Sequence, residues 1–286
     1  MTDNTEWIDQ LRLQDRDRYF LSLFYPERAR HDVLALFAFN RELSRIQEIT
    51  SELMVGVIRL KWWYDAIEQT FEGKPPPHPV ALALSEVVAN NQLDRTLFLD
   101  LVEARSHQLG GVAPETLEQL ESEAASLSTP LIELSLSLIQ AHTAQTAHTA
   151  RHVGIAWSLC ELIRAIPRHA MARKSYLPVN LCQRHKLDVE AVFHRSRLST
   201  EGSVPEGLSA VVCDLTKLAR SHVDLAREAR GQLSKQAVPA LLPLTISQLY
   251  LQNIERAAFD PFDLEVEAGP SAKLLRLGWN ALRNRY

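Results

Sequence analysis

ALFAFNRELSRIQE, residues 35–48, and GIAWSLCELIRAIPRHAMARKSYLP, residues 154–178, decide the fold. In the first stretch Leu36, Phe39, Leu43 and Ile46 recur at three and four, the spacing of one face of an α-helix. Arg41, Ser44, Arg45 and Glu48 fall together on another face. In the second, Gly154, Ser158, Glu161, Ala165 and His169 share a strip, and Gly154 and Ala156 leave room for a close helix neighbour. Pro167 lacks an amide hydrogen and should kink or end this second helix. Two long helices with polar strips need a common space to face, so both are expected to line one central cavity.

Outward from these helices the pattern stays helical. Glycine is scarce, at 10 of 286 residues, and no sustained period-2 alternation marks strands. Breaks fall where proline and glycine gather: 73–79 (GKPPPHP), 110–114, 202–207, 238–243 and 260–270. A single all-α domain over 1–286 is expected, with 1–15 loose and 260–286 packed on the same domain. Net charge is −4, which argues against a general nucleic-acid binder. Cys160, Cys182 and Cys213 form no CxxC pair, so neither a disulfide framework nor a zinc knuckle is expected. No apolar run reaches the roughly 20 residues of a membrane span, and the acidic start MTDNTEWIDQ lacks the character of a targeting peptide. The expected location is therefore the cytoplasm, with contact at the periphery of the inner membrane left open.

Together with residues 17–40 (DRYFLSLFYPERARHDVLALFAFN), 60–67 (LKWWYDAI) and Tyr176-Leu177-Pro178, the two stretches resemble the squalene/phytoene synthase family. The resemblance implies an isoprenoid-synthase fold, a helical bundle around a deep cavity. Enzymes of that family join two allylic diphosphates. Their paired aspartates hold magnesium, which neutralises the departing diphosphate, and a long apolar cavity houses the prenyl tails. Here the matching positions hold Ser44 and Glu48, then Ala165 and His169. Serine is a poor magnesium ligand, alanine is none, and imidazole suits other metals. A serine pair that touches diphosphate maps to Asp17 and Tyr19. Of the carboxylates expected to ring the cavity, only Glu48 stays in place.

The departures themselves resemble a branch of the superfamily containing a mitochondrial respiratory complex I assembly factor, where AFN-x-EL and Arg-x-x-Pro-x-His strings stand in for the aspartate motifs. That likeness implies a non-catalytic helper in complex I assembly, partnered by complex I subunits or assembly factors, or binding an apolar isoprenoid or lipid. No cofactor or metal is then expected; magnesium belongs to the alternative, a prenyltransferase with a rebuilt site. A plain lipid carrier stays open as a third reading. Cavity and ligand candidates are Arg41, Arg45, Glu48, Glu161, Arg164, Arg168 and Tyr176. The basic cluster Arg164, Arg168, Arg173 and Lys174 reads either as an anion site or as an ion-pair network with Glu42, Glu48 and Glu161. Trp62, Trp63 and Tyr64 are expected in the core, and His142, His148 and His152 on an exposed helix.

Overall fold

Thr143 opens the longest helix of the molecule, α8 (Ala144–Met171), with a capping box in which its hydroxyl accepts from Thr146 N while Thr146 Oγ1 accepts from Thr143 N. The run Val153–Trp157 is buried on all sides, as befits a helix at the centre of a bundle. In this computed structural model, which describes residues 6–50, 52–197, 203–263 and 266–286, every described element is helical. α8 packs on α7 (Leu117–Leu138), α11 (Leu208–Glu228) and α13 (Pro243–Arg256). The second wall of the cavity is α3 (Glu27–Ile49), which packs on α1 (Glu6–Gln14), α5 (Pro79–Asn90) and α7. Outside these lie α4 (Leu53–Phe71) and α6 (Arg95–Leu109), while α2 (Arg16–Ser22) and α14 (Pro270–Leu282) close one end. Short helices α9 (Val179–Arg184), α10 (Val189–Arg195) and α12 (Val238–Leu241) fill the connections.

Several expectations change here. Pro167 does not end α8, which continues to Met171. The missing amide falls near the helix end, where one lost hydrogen bond is tolerable. The break expected at 238–243 contains α12 instead, because Pro239 and Pro243 sit in the first turns of α12 and α13, where proline is favoured. Only Trp63 of the aromatic trio is core, edge-on to Phe39 at 5.3 Å; Trp62 and Tyr64 are exposed. Of the stretch 1–15 expected to be loose, residues 1–5 lie outside the described residues and Glu6–Gln14 is helical, with Trp7 and Leu11 buried. At the other end α14 packs on α13, and Tyr286 donates its hydroxyl to the Ala226 carbonyl at 3.1 Å. No helix among the described residues is long and apolar enough to cross a membrane.

Gly154 lets α7 and α8 touch. A Cβ there would lie 3.0 Å from the Thr129 amide nitrogen and 3.2 Å from its Cα. That is backbone, which cannot swing aside. Gly154→Val is expected to lower stability by roughly 1–3 kcal/mol through overpacking, read by denaturant unfolding.

Candidate functional site

Between α3 and α8 lies a cavity of about 650 Å³. From α3 it takes Arg41, Ser44, Gln47 and Glu48; from α8, Ser158, Glu161, Arg164, Ala165, Arg168 and His169. Tyr176 completes the set of candidates it brings together. Arg45 does not join them. Adjacent helical residues are turned about 100° apart, and Arg45 instead lines a separate groove with Glu42, Arg59, Trp62 and His78.

Arg41 grips Glu48 with both ends of its guanidinium, Nη1 donating to Oε1 at 3.1 Å and Nη2 to Oε2 at 2.8 Å. Arg168 stands 3.9 Å from the same carboxylate. Despite the opposing effect of burial, these arginines hold the Glu48 carboxyl below its ordinary range. Ser44 spends its hydroxyl on the Arg41 carbonyl at 3.0 Å. His169 packs edge-on to Tyr176, with ring centroids 4.8 Å apart, and Tyr176 accepts a hydrogen bond from Gln47 Nε2. Burial first, then the charges of Arg168 and Lys174, push the His169 imidazole down to about 4.

Magnesium, which the fold implies, is poorly served by this donor set. Glu48 is chelated by Arg41, Ala165 offers no donor, and Arg168 would repel a dication. Among the described residues no three His, Cys, Asp or Glu side chains are arranged to hold a metal ion. The residues do not fit the metal.

A denser centre lies beside this pair, where Asp17, Glu161 and Arg164 meet Asp15, Arg18, Tyr250, Glu267 and Lys273, which the sequence reading left out. Asp17 accepts from Lys273 Nζ at 2.6 Å and from the Tyr250 hydroxyl, which in turn accepts from Lys273. Burial keeps the Tyr250 hydroxyl protonated, far above its ordinary range. Arg164 stacks over the Tyr250 ring at 3.7 Å, forks onto Glu267 at 2.8 and 2.7 Å, and stands 3.8 Å from Asp17. Arg18 pairs with Asp15 at 2.6 Å, reaches Glu161 at 3.6 Å, and lies over the Trp157 ring at 5.2 Å. Thus the basic cluster does form ion pairs, but mainly with other partners than expected: Arg164 takes Glu267 and Asp17, Arg173 takes Glu190, and Arg168 alone keeps Glu48. Besides Glu48 at its motif position, Asp15, Asp17, Glu123, Glu161 and Glu267 also line the cavity. One signal for Lys273 was available: it sits four residues before Leu277 on the buried side of α14, an odd place for a lysine.

The walls are largely charged and polar, with an apolar strip from Leu120, Leu127, Leu159 and Leu162. The chamber is therefore mostly polar with one apolar side, unlike the long apolar cavity that the family's enzymes use for prenyl tails.

His148 is exposed on α8 and His142 is exposed just before it, as expected, whereas His152 is partly buried. His152 Nδ1 lies 2.9 Å from Nδ1 of the buried His222, whose other nitrogen stands 3.6 Å from Glu121. His142 faces Glu133 at 3.6 Å.

His169 and His152, each pushed down to about 4 from 6.5, make the fold acid-sensitive. Between those values the unfolded chain binds protons that the folded one refuses, so stability falls as pH falls. His169→Gln should flatten the drop in melting temperature between pH 6.5 and 4.5, leaving the His152 share.

Among relatives, the rat protein named NADH dehydrogenase (ubiquinone) complex I, assembly factor 6 is 28% identical over 279 residues, spanning 98% of this chain and 82% of the relative. The human protein of that name is 29% identical over 255 residues, spanning 89% and 74%. Of solved structures, a dehydrosqualene synthase superposes with a TM-score of 0.82 at 19% identity, covering 97% of this chain and 94% of that one. A squalene synthase from Alicyclobacillus acidocaldarius gives 0.74 at 19% identity, covering 90% and 95%. These likenesses establish the isoprenoid-synthase fold. With residues 11–277 matching the family's sequence pattern, the chain belongs to the squalene/phytoene synthase family.

Proposed function

We propose that this chain is a non-catalytic member of its family that assists assembly of NADH:ubiquinone oxidoreductase. The observation that carries this reading is the chelation of Glu48 by Arg41, opposite Ala165 and His169. A carboxylate whose two oxygens are held by a guanidinium is not free to gather metal, and without metal a departing diphosphate lacks its main charge partner. The relatives named as complex I assembly factors, matched over nearly the whole chain, support the assembly role. The test is affinity purification of the tagged full chain from its own cells, with identification of co-purifying proteins. Subunits or assembly factors of NADH:ubiquinone oxidoreductase are expected. Their absence, with that enzyme intact in a deletion strain, overturns the reading.

A second reading keeps the family chemistry with a rebuilt site, and a specific observation favours it. Basic side chains outnumber carboxylates around the cavity. Among them, Arg105 keeps a buried Nε without a hydrogen-bond partner, and burial plus Arg18 pushes its guanidinium down to about 10. Guanidinium groups match phosphate geometry and could hold a diphosphate directly. Diphosphate release separates this reading from the first. An amphiphile, with its anionic end among these arginines and its tail along the leucine strip, suits the chamber better than a wholly apolar lipid.

A further inference from the structure

The start of α4 carries an apolar surface that the fold leaves uncovered. Leu53, Met54 and Ile58 are 57, 68 and 61% exposed, with Val55, Val57 and the preceding Ile49 also exposed. Against the bundle this helix turns a stripe of Gly56, Leu60, Trp63, Ala66, Ile67 and Thr70, of which only Gly56 belongs to its first turns, where it fits under Leu109. With 3.6 residues per turn, the exposed positions 53, 54, 55, 57 and 58 spread over roughly 200° of the helix circumference. A rigid protein face touches one side of a helix. A fluid apolar medium wraps it. The stripe of Leu275, Trp279 and Leu282 on α14 is different, since its three exposed side chains lie within about 60° and suit a flat partner.

Behind the apolar tip comes a collar of another chemistry. Arg59, Lys61, Trp62 and Tyr64 are all exposed, and Lys61 stands about 12 Å along the axis from Leu53. Arg45 joins Arg59 and Trp62 around the adjoining groove. Amphipathic aromatic rings and long basic side chains settle where hydrocarbon gives way to headgroups. The acidic residues nearby are Asp65, which pairs with Lys61 at 2.6 Å, Glu42, which lies in the groove, and the exposed Glu52 at the N-cap position, where a carboxylate suits the dipole although its side chain makes no capping hydrogen bond.

We propose that the α4 tip inserts into the surface of an anionic phospholipid bilayer, with Leu53, Met54 and Ile58 among the acyl chains and the Arg59, Lys61 and Trp62 collar at the headgroups. Glu48, which lines the cavity, directly precedes Ile49, so this seating also brings one rim of the chamber to the membrane.

The test is co-flotation of the purified full chain with phosphatidylcholine vesicles, with and without phosphatidylglycerol. The chain should float with the anionic vesicles and weakly with the neutral ones, and added salt should weaken binding. Met54→Glu/Ile58→Glu should lower the partition coefficient at least about tenfold, since both apolar contacts are lost and two charges must enter the interface. Both side chains are exposed, so the melting temperature should hold, which keeps the variant interpretable. Bromine-labelled lipid should quench tryptophan emission less in Trp62→Phe than in the parent. No flotation of the parent, or full binding by Met54→Glu/Ile58→Glu, overturns the proposal. So does loss of binding in Leu275→Glu/Leu282→Glu alone, which would move the contact to α14. A parent that fails to float but dimerises through Met54 and Ile58, with the double variant monomeric by light scattering, would assign the tip to a second copy instead.

Discussion

Lys273→Met lowers the melting temperature by on the order of 10 °C, the effect of breaking a buried ion pair worth roughly 3–5 kcal/mol in a chain of this size. Lysine and Asp17 are both about nine-tenths out of water, with side-chain exposures of 9 and 10%. Methionine matches the length of the lysine stem but supplies neither the donor to Asp17 Oδ1 nor the donor to the Tyr250 hydroxyl. Arg164 stands 3.8 Å from the other carboxylate oxygen and is already committed to Glu267, so it cannot take over the lost contact. The double variant Asp17→Leu/Lys273→Met should recover much of the loss, because an apolar pair leaves no buried charge behind. Denaturant unfolding of the two variants checks this. A single variant as stable as the parent would show that the Asp17 centre does not hold the fold.

Arg18→Met should destabilise by a similar amount near neutral pH, and with a pH signature of its own. Arg18 binds Asp15 at 2.6 Å, and Asp15 also caps the α2 N-terminus by accepting from the Arg18 amide at 3.1 Å. Burial already pushes the Asp15 carboxyl upward, with the Arg18 charge pulling against it. Once the guanidinium is gone, burial and the nearby Glu161 charge are opposed only by the Arg18 backbone amide, and the folded state favours the protonated acid. A raised folded pKa means that the folded state binds the extra proton above the unfolded value of 3.8. The cost of the substitution therefore grows as pH rises and shrinks toward acid. Stability differences measured at pH 5 and pH 7.5 should differ in that direction. A loss independent of pH would mean that Arg18 acts through packing on Trp157 instead.

The sequence was most legible where information is local. The apolar register of α3 and α8 places Leu43, Ile46, Ile155 and Ile163 in the core and aims Arg41, Glu48, Glu161 and His169 at one chamber. The family pattern then explains why those two helices face each other. Legibility failed over long separations. Asp17 and Lys273 are 256 residues apart, and no helical periodicity links them. Arg45 was misplaced because a strip drawn at spacings of three and four admits a residue on its shoulder, and packing decided which way the shoulder turned. His152 met His222 across the α8–α11 contact, again a matter of tertiary packing. The α4 tip went unread: nothing in an apolar run tells whether a partner helix covers it, and between Leu53 and Ile58 only Gly56 is buried.

The central claim is that ion pairs occupy the place where a family enzyme would hold magnesium. Incubation of the purified chain with farnesyl diphosphate and magnesium, followed by measurement of released diphosphate, tests it most directly. Release at the rate of the protein-free control is the predicted result, with no rise in melting temperature on adding magnesium, since an ion bound to the folded state would stabilise it by mass action. Steady magnesium-dependent release that disappears in Glu48→Gln would contradict the account.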